Sequence, residues 1–259
     1  MTFHRRPRFV TVILSRVGSS RLPRKALAKI RGKTVLEHII DRALSAREPD
    51  EVILVTTTKS EDDALMRIAK RCGIGVSRGS AKDKLMSVYR AAVKYDADYV
   101  VEFDGDDLFC SPELIDAAVK EVRTKPCDVL YATRRLICGS FTMLMSTHAL
   151  RTACALKAST DTEMMKGYLV DSGLFKVRHM HAPALYFNKN IRITLDYPED
   201  FAFFHAVYDA MEMRKNTVPL RDIIRFLQRH PALPKINWFR QHEFVGNQVR
   251  RTTPKFKKH

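Results

Sequence analysis

The chain has 259 residues, with 45 Lys and Arg against 29 Asp and Glu, for a formal net charge of +16 at pH 7. That length supports one α/β domain with a proper core, and no apolar run approaches the roughly 20 residues that span a bilayer. Five cysteines, at 72, 110, 127, 138 and 154, show neither CxxC nor any metal-ligand spacing, which argues against structural zinc and for reduced thiols in a cytosolic protein.

From the N-terminus, MTFHRRPRF carries charge but no following apolar region of the secretory kind, so the expected location is the cytoplasm. The charge is unevenly placed. Residues 1–8 hold three arginines and residues 248–259 five basic groups, with no acid in either stretch. Such tails read as solvated and mobile, with a counterion role at nucleic acid as the alternative. The domain proper is expected over 9–247.

The run RFVTVILS (8–15) predicts a strand of the kind covered on both faces, and EVILVTTT (51–58), DYVVEFDGDD (98–107) and CDVLYAT (127–133) repeat it. Helix signals alternate with them. Thr34 and Glu37 form a capping box ahead of an apolar-periodic stretch. Ser60 opens EDDALMRIAK, which Gly73 can close; residues 82–95 read as a third helix; Ser111-Pro112 is an N-cap with a first-turn proline. Strand alternating with helix predicts a mostly parallel sheet.

Between the first strand and the first helix lie Arg16, Arg21, Arg24, Lys25, Lys29, Arg31 and Lys33 without a single acid. This connection belongs at the carboxyl edge of the sheet, where α/β proteins bind ligands. Gly18 and the neighbouring serines let backbone approach an anion, and the basic side chains supply charge-assisted bonds to phosphate oxygens. A dinucleotide fingerprint is absent, and Leu27 stands where a Walker A loop needs its first glycine.

The third strand ends in Asp104, Asp106 and Asp107, hard-oxygen ligands suited to Mg²⁺ shared with substrate phosphates. Asp107 is equally well explained as a helix cap. In IRITLDYPEDF (191–201), Asp196 ends an alternating stretch read as a strand, and Pro198 starts a helix. Glu199 and Asp200 in its first turn are accounted for by the helix dipole, whereas Asp196 is not.

Taken in order, the motifs RxGSSRLPxKxL, GKxxLEHxIxRxL, RGSxxDxL, DGD, SPELID and ITLDYPEDF resemble the cytidylyltransferases that activate acidic sugars. The likeness is to the spore-coat-polysaccharide type above all, with the 3-deoxy-manno-octulosonate cytidylyltransferases as cousins. It covers residues 9 to about 120 and 191–210. It implies a GT-A-like (Rossmann-like) nucleotidyltransferase fold, a mostly parallel mixed sheet with helices on both faces, and a protruding segment used to form a homodimer. It implies Mg²⁺-dependent transfer of CMP from CTP to an acidic sugar or related small-molecule acceptor, with release of pyrophosphate, in surface polysaccharide biosynthesis. Arg16 and Lys25 then match the triphosphate-binding pair, with Arg21 alongside and Ser15, Gly18, Ser19 and Ser20 in the same loop. Arg78, Gly79 and Ser80 fall where base and ribose are met, and Asp106 and Asp196 match the magnesium aspartates.

The chain departs from that pattern in places. Asp107-Leu108 replaces the usual Cys-Pro or Glu-Pro, Arg24 stands where glycine is usual, and residues 133–190 match no acceptor-binding pattern. Within them, Asp161 and Glu163 are read either as acceptor contacts or as helix caps. Of the nine histidines only His38 falls in a matched motif, and there it reads as structural. The alternatives are a different nucleotidyltransferase or a glycosyltransferase of the same fold, for which DGD supplies a literal DxD, or a nucleic-acid-binding protein. The near-neutral body outside the loop speaks against the last.

Overall fold

The computed structural model describes residues 5–19, 21–133, 135–213, 217–250 and 254–257, the side chains of 248–250 excepted. In chain order it contains β1 (Phe9–Leu14), the hairpin strands β2 (Lys29–Ile30) and β3 (Lys33–Thr34), α1 (Val35–Ala43) and β4 (Glu51–Thr57). There follow α2 (Asp63–Arg71), β5 (Gly75–Gly79), α3 (Lys84–Lys94), β6 (Tyr99–Asp104) and α4 (Pro112–Thr124). Next come β7 (Val129–Tyr131), β8 (Met143–Ser146), α5 (Thr147–Leu156), α6 (Met165–Leu169) and β9 (Val177–His179). Three helices complete the chain: α7 (Pro198–Ala210), α8 (Leu220–Arg229) and α9 (Arg240–Arg250).

Seven strands form one sheet in the order β5-β4-β1-β6-β8-β7-β9. Neighbours pair in parallel except where β8 meets β6 and β7. The nearly continuous apolar run of β1, interrupted only by Thr11, has a simple cause. Phe9 and Ile13 enter the core under α1, α2, α4, α7 and α8, while Val10 and Val12 enter the opposite core under α3, α5 and α6. With helices on both faces, both sets of alternating residues are mostly apolar.

Local signals set the helix starts. Thr34 Oγ accepts from the Glu37 amide at 3.2 Å and Glu37 returns a bond to the Thr34 amide at 2.7 Å, closing the capping box of α1. Ser111 caps α4 through the Leu114 amide, with Pro112 in the first turn. That leaves Asp107 free of any capping duty.

Two expectations need correction. Residues 191–196 form no strand; they run extended, joined to the body by a bridge between Cys138 and Arg192 and by the Leu195 amide donating to the Asp106 carbonyl at 2.8 Å. The second concerns the C-terminal basic stretch, whose described residues 254–257 are packed. Lys255 O accepts from the Ala158 amide, the Lys257 amide donates to Leu156 O, and Phe256 meets the edge of the Tyr168 ring. Apolar burial of Phe256 outweighs the solvation of its basic neighbours. No helix among the described residues is long and apolar enough to cross a membrane.

Candidate functional site

From β1 the chain crosses to β4 on one side, and from β6 it continues toward β8 and β7 on the other. The strand order therefore reverses between β1 and β6, which opens a crevice beyond their carboxyl ends. Gly105 makes this crevice narrow-floored. Its amide donates to Leu14 O at 2.8 Å, and a Cβ there would stand 2.5 Å from the same oxygen. Only glycine lets the end of β6 lie against the end of β1.

Asp106 follows at once, and its carbonyl holds Leu195, which brings in Asp196. Lys25, on a short 3₁₀ turn (Lys25–Leu27), reaches both carboxylates. Its Nζ lies 2.8 Å from Asp106 Oδ2, 3.3 Å from Asp196 Oδ1 and 2.7 Å from Leu195 O. Arg21 pairs with Asp196 Oδ1, and Arg192 reaches Asp196 Oδ2 at 3.1 Å. Burial pushes the Asp196 carboxyl up, but Lys25, Arg21 and Arg192 outweigh it and hold the group below the usual aspartate range. Asp106 goes the other way. Burial raises it, and Asp196 and Asp104 add repulsion that Lys25 does not cancel.

Asp200 is what fixes Asp196 in place. Fully buried, it accepts from the backbone amides of Asp196 and Tyr197 at 2.8 and 3.0 Å, from Arg192 Nε at 3.0 Å and from Asn237 Nδ2 at 2.9 Å. Glu199 takes a two-pronged bond from Arg240 on α9, at 2.8 and 3.1 Å. The helix dipole is thus an incomplete account of both acids, since Asp200 holds the Asp196 turn and Glu199 ties it to α9.

The rest of the basic loop divides. Arg16 points into the crevice, where Nη1 donates to Ala81 O at 2.8 Å and Nη2 pairs with Glu163 at 2.9 Å. The backbone behind it is pinned by the Val17 amide donating to buried Asp62 at 2.7 Å. Lys29 is exposed, Arg31 turns to Tyr208 O and Asp209, and Lys33 pairs with Asp41. Arg24 is exposed at φ 58.

Ser15, Arg16, Gly18, Ser19, Arg21, Lys25, Ser80, Asp106 and Asp196 all line one cavity of about 320 Å³. Ser20 lies outside the described residues. Arg78 and Gly79 do not belong to the lining. The Arg78 guanidinium bonds Thr57 O and Lys59 O at 2.8 Å and pairs with Asp63, a strut from the edge strand to the end of β4 and the start of α2. Gly79 is glycine for packing, since a Cβ would meet Ser87 Oγ at 2.2 Å.

A second cavity of about 1130 Å³ opens beside the first and shares Arg21, Lys84, Asp104, Asp106, Glu163 and Asp196 with it. Its far wall comes from residues 131–133, 135–139 and 141–143 and from Trp238, Gln241, Phe244, Val245 and Asn247. Glu163 sits on the boundary, whereas Asp161 is exposed and lines neither cavity. The sequence reading passed over Thr56, Thr57, Ser87, Lys84 and Glu102. The last two are a pair, with Lys84 Nζ 2.7 Å from Glu102 Oε1 and 3.0 Å from Asp104 Oδ1. Burial pushes the Glu102 carboxyl up to about 7, against the pull of Lys84.

No group of three or more His, Cys, Asp or Glu among the described residues forms a metal cage by itself. Mg²⁺ does not require one when one or two carboxylates and substrate phosphates share the ion. A single ammonium already bridges Asp106 and Asp196, so the residues present suit a cation at this point. The literal DxD does not act as a unit, because Asp104 turns to Lys84 and Thr142 while Asp106 turns to Lys25.

A family model described as cytidylyltransferase matches residues 10–227. An uncharacterized protein of Methanocaldococcus jannaschii is 31% identical over 236 residues, covering 89% of this chain and 94% of that protein. The spore coat polysaccharide biosynthesis protein SpsF of Bacillus subtilis is 25% identical over 229 residues, covering 85% and 94%. Among solved structures, a cytidylyltransferase from Leptospira borgpetersenii superposes with a TM-score of 0.81 at 22% identity, over 88% of this chain and 96% of that one. The fold is the Rossmann-like nucleotidyltransferase fold that the motifs imply.

Proposed function

The chain belongs to the cytidylyltransferase family, and on that premise we propose that it moves CMP from CTP onto an acidic sugar or related acceptor, releasing pyrophosphate, in the making of a surface polysaccharide. One observation carries the reading. Arg21 and Lys25 from the β1 loop converge with Asp106 and Asp196 at the seam between a smaller and a larger cavity. A group-transfer enzyme needs that arrangement, with the donor on one side, the acceptor on the other and charged groups where they meet.

In this reading the smaller cavity takes the nucleotide, with its triphosphate along the β1 loop. Arg16, Arg21 and Lys25 bind the phosphate oxygens and stabilise the charge that grows on departing pyrophosphate. In the structure these cations pair with Glu163, Asp196 and Asp106; phosphate oxygens would become their partners instead, with the carboxylates remaining in place. Asp106 and Asp196 would hold Mg²⁺, which when bound supplies Lewis-acid polarisation of the phosphate. The larger cavity orients the acceptor, and α9, tied down by Arg240 and Glu199, lines one side of it. The 133–190 segment, which supplies much of that wall, also carries the proposed homodimer contact.

The test is pyrophosphate release from each of the four nucleoside triphosphates, with Mg²⁺, across a panel of acidic sugars. CTP is expected to be preferred and release to require both metal and acceptor. Preference for UTP or GTP ends the cytidylyl assignment.

A further inference from the structure

Lys84 is placed against local preference twice over. It is the first residue of α3, after the N-cap Asp83, where the helix dipole disfavours a cation. Its partner Glu102 lies mid-strand on the face of β6 that Val100 also occupies in an apolar core, beside Val12 of β1. Glu102 is 2% exposed, and its Oε2 has no hydrogen-bond partner among the described residues. A buried ion pair of this kind is a poor source of stability, since apolar replacements of similar size are often as stable or more so. Packing alone therefore does not explain why both residues are present.

Their position does. Lys84 lines both cavities, at the seam where they join. An ammonium has three N–H donors, and two are taken, by Glu102 and Asp104. Glu102 and Asp104 hold the lysine where it lines the seam, with one donor left for a ligand. The group that must be reachable from both cavities is the phosphoryl group being transferred. Resting on the donor and acceptor assignment above, we propose that Lys84, held by Glu102, is a binding residue for the α-phosphate of the nucleotide. It is separate from the β1-loop residues that serve the β- and γ-phosphates.

The experiment needs no acceptor. Affinities of CTP, CMP and cytidine are measured by calorimetry on the wild type, Lys84→Met, Lys84→Arg and the charge-free double variant Lys84→Met/Glu102→Gln, with thermal unfolding of each. Lys84→Met should weaken CMP by about tenfold or more, the scale of one charge-assisted bond, while cytidine is unchanged and Lys84→Arg recovers part of the loss. The double variant, which leaves no fully buried charge unpaired and only the partly exposed Asp104 without its cation, should unfold like the wild type and still show the CMP defect. If folded Lys84→Met or the double variant binds CMP as the wild type does, the assignment is overturned and the pair is structural. If the wild type itself binds none of the three, the reading on which the proposal rests falls instead.

Discussion

The two halves of the β1 loop carry similar charge and meet opposite fates. In the first half, all but exposed Arg24 face the crevice: Arg16, Arg21 and Lys25 pair with acids that converge there from the end of β6, from the 191–196 stretch and from residue 163. In the second half, Lys29 is solvated and Arg31 and Lys33 serve α7 and α1. A run of basic residues is thus a poor unit of function. What matters is which side chains the backbone turns toward the sheet edge, and the turn at Lys25–Leu27 followed by the β2–β3 hairpin makes the division.

The largest effects should come from the acids that receive the first half. Asp106→Asn and Asp196→Asn keep shape and lose charge, and each is expected to bring turnover below detection in a folded protein, checked by pyrophosphate release alongside circular dichroism. Measurable turnover in either variant would detach that carboxylate from the chemistry.

Next come the cations themselves. Arg16→Ala and Lys25→Ala should each lower kcat/KM by roughly 10²–10³, the scale of one preorganised electrostatic donor. Lys29→Ala should change it by less than about threefold, as for an exposed charge. Steady-state kinetics at saturating Mg²⁺ ranks the three, and equal losses would make the loop a diffuse field.

A smaller effect separates the seam from the loop by pH. Burial, only partly offset by Lys84, lets folded Glu102 keep its proton to about pH 7, whereas the unfolded chain releases it near 4.5. The native state then holds the extra proton between those values, so this contribution to stability is complete below about 4.5 and is lost as pH rises through 7. Glu102→Gln removes the dependence. Thermal unfolding from pH 4.5 to 8 should show the variant gaining on the wild type as pH rises, and parallel curves would contradict the buried environment of Glu102.

The smallest effect is at the far end of the loop. Thr34→Ala breaks the α1 capping box and should cost about 1 kcal/mol, seen as a fall of roughly 2–4 °C in Tm for a domain of this size. Because that box faces away from the crevice, kcat/KM should hold. A kinetic defect there would mean the two halves are mechanically coupled.

Legibility in the sequence followed burial and short range. Strands β1, β4 and β6 announced themselves because two covered faces forbid polar alternation, and α1 and α4 because their caps lie within three residues of their first turns. Asp106 and Asp196 were legible through motif resemblance, and the structure brings them to one ammonium. What failed was long-range or masked. Strand β5, GVSRG, is short, polar and bounded by glycines, so it lacks an apolar pattern. Arg78 looked like a nucleotide contact because nothing local shows that Thr57, Lys59 and Asp63 claim its guanidinium. Lys84 reads as a solvated helix start, and its acids lie 18 and 20 residues away on a strand. The share of α9 in lining the larger cavity depends on contacts such as Arg240 with Glu199, 41 residues apart, which no local pattern reports.

The most direct test compares two charge-matched triple variants in equilibrium binding of CTP with Mg²⁺. One carries Arg16→Gln, Arg21→Gln and Lys25→Gln; the other carries Lys29→Gln, Arg31→Gln and Lys33→Gln, so that both lose the same three charges. The first should lose CTP affinity by about 100-fold or more, as expected when several charge-assisted bonds are removed, and the second should stay within about threefold of the wild type. Equal losses in the two would contradict the division of the loop, and full affinity in the first would remove the triphosphate from this site.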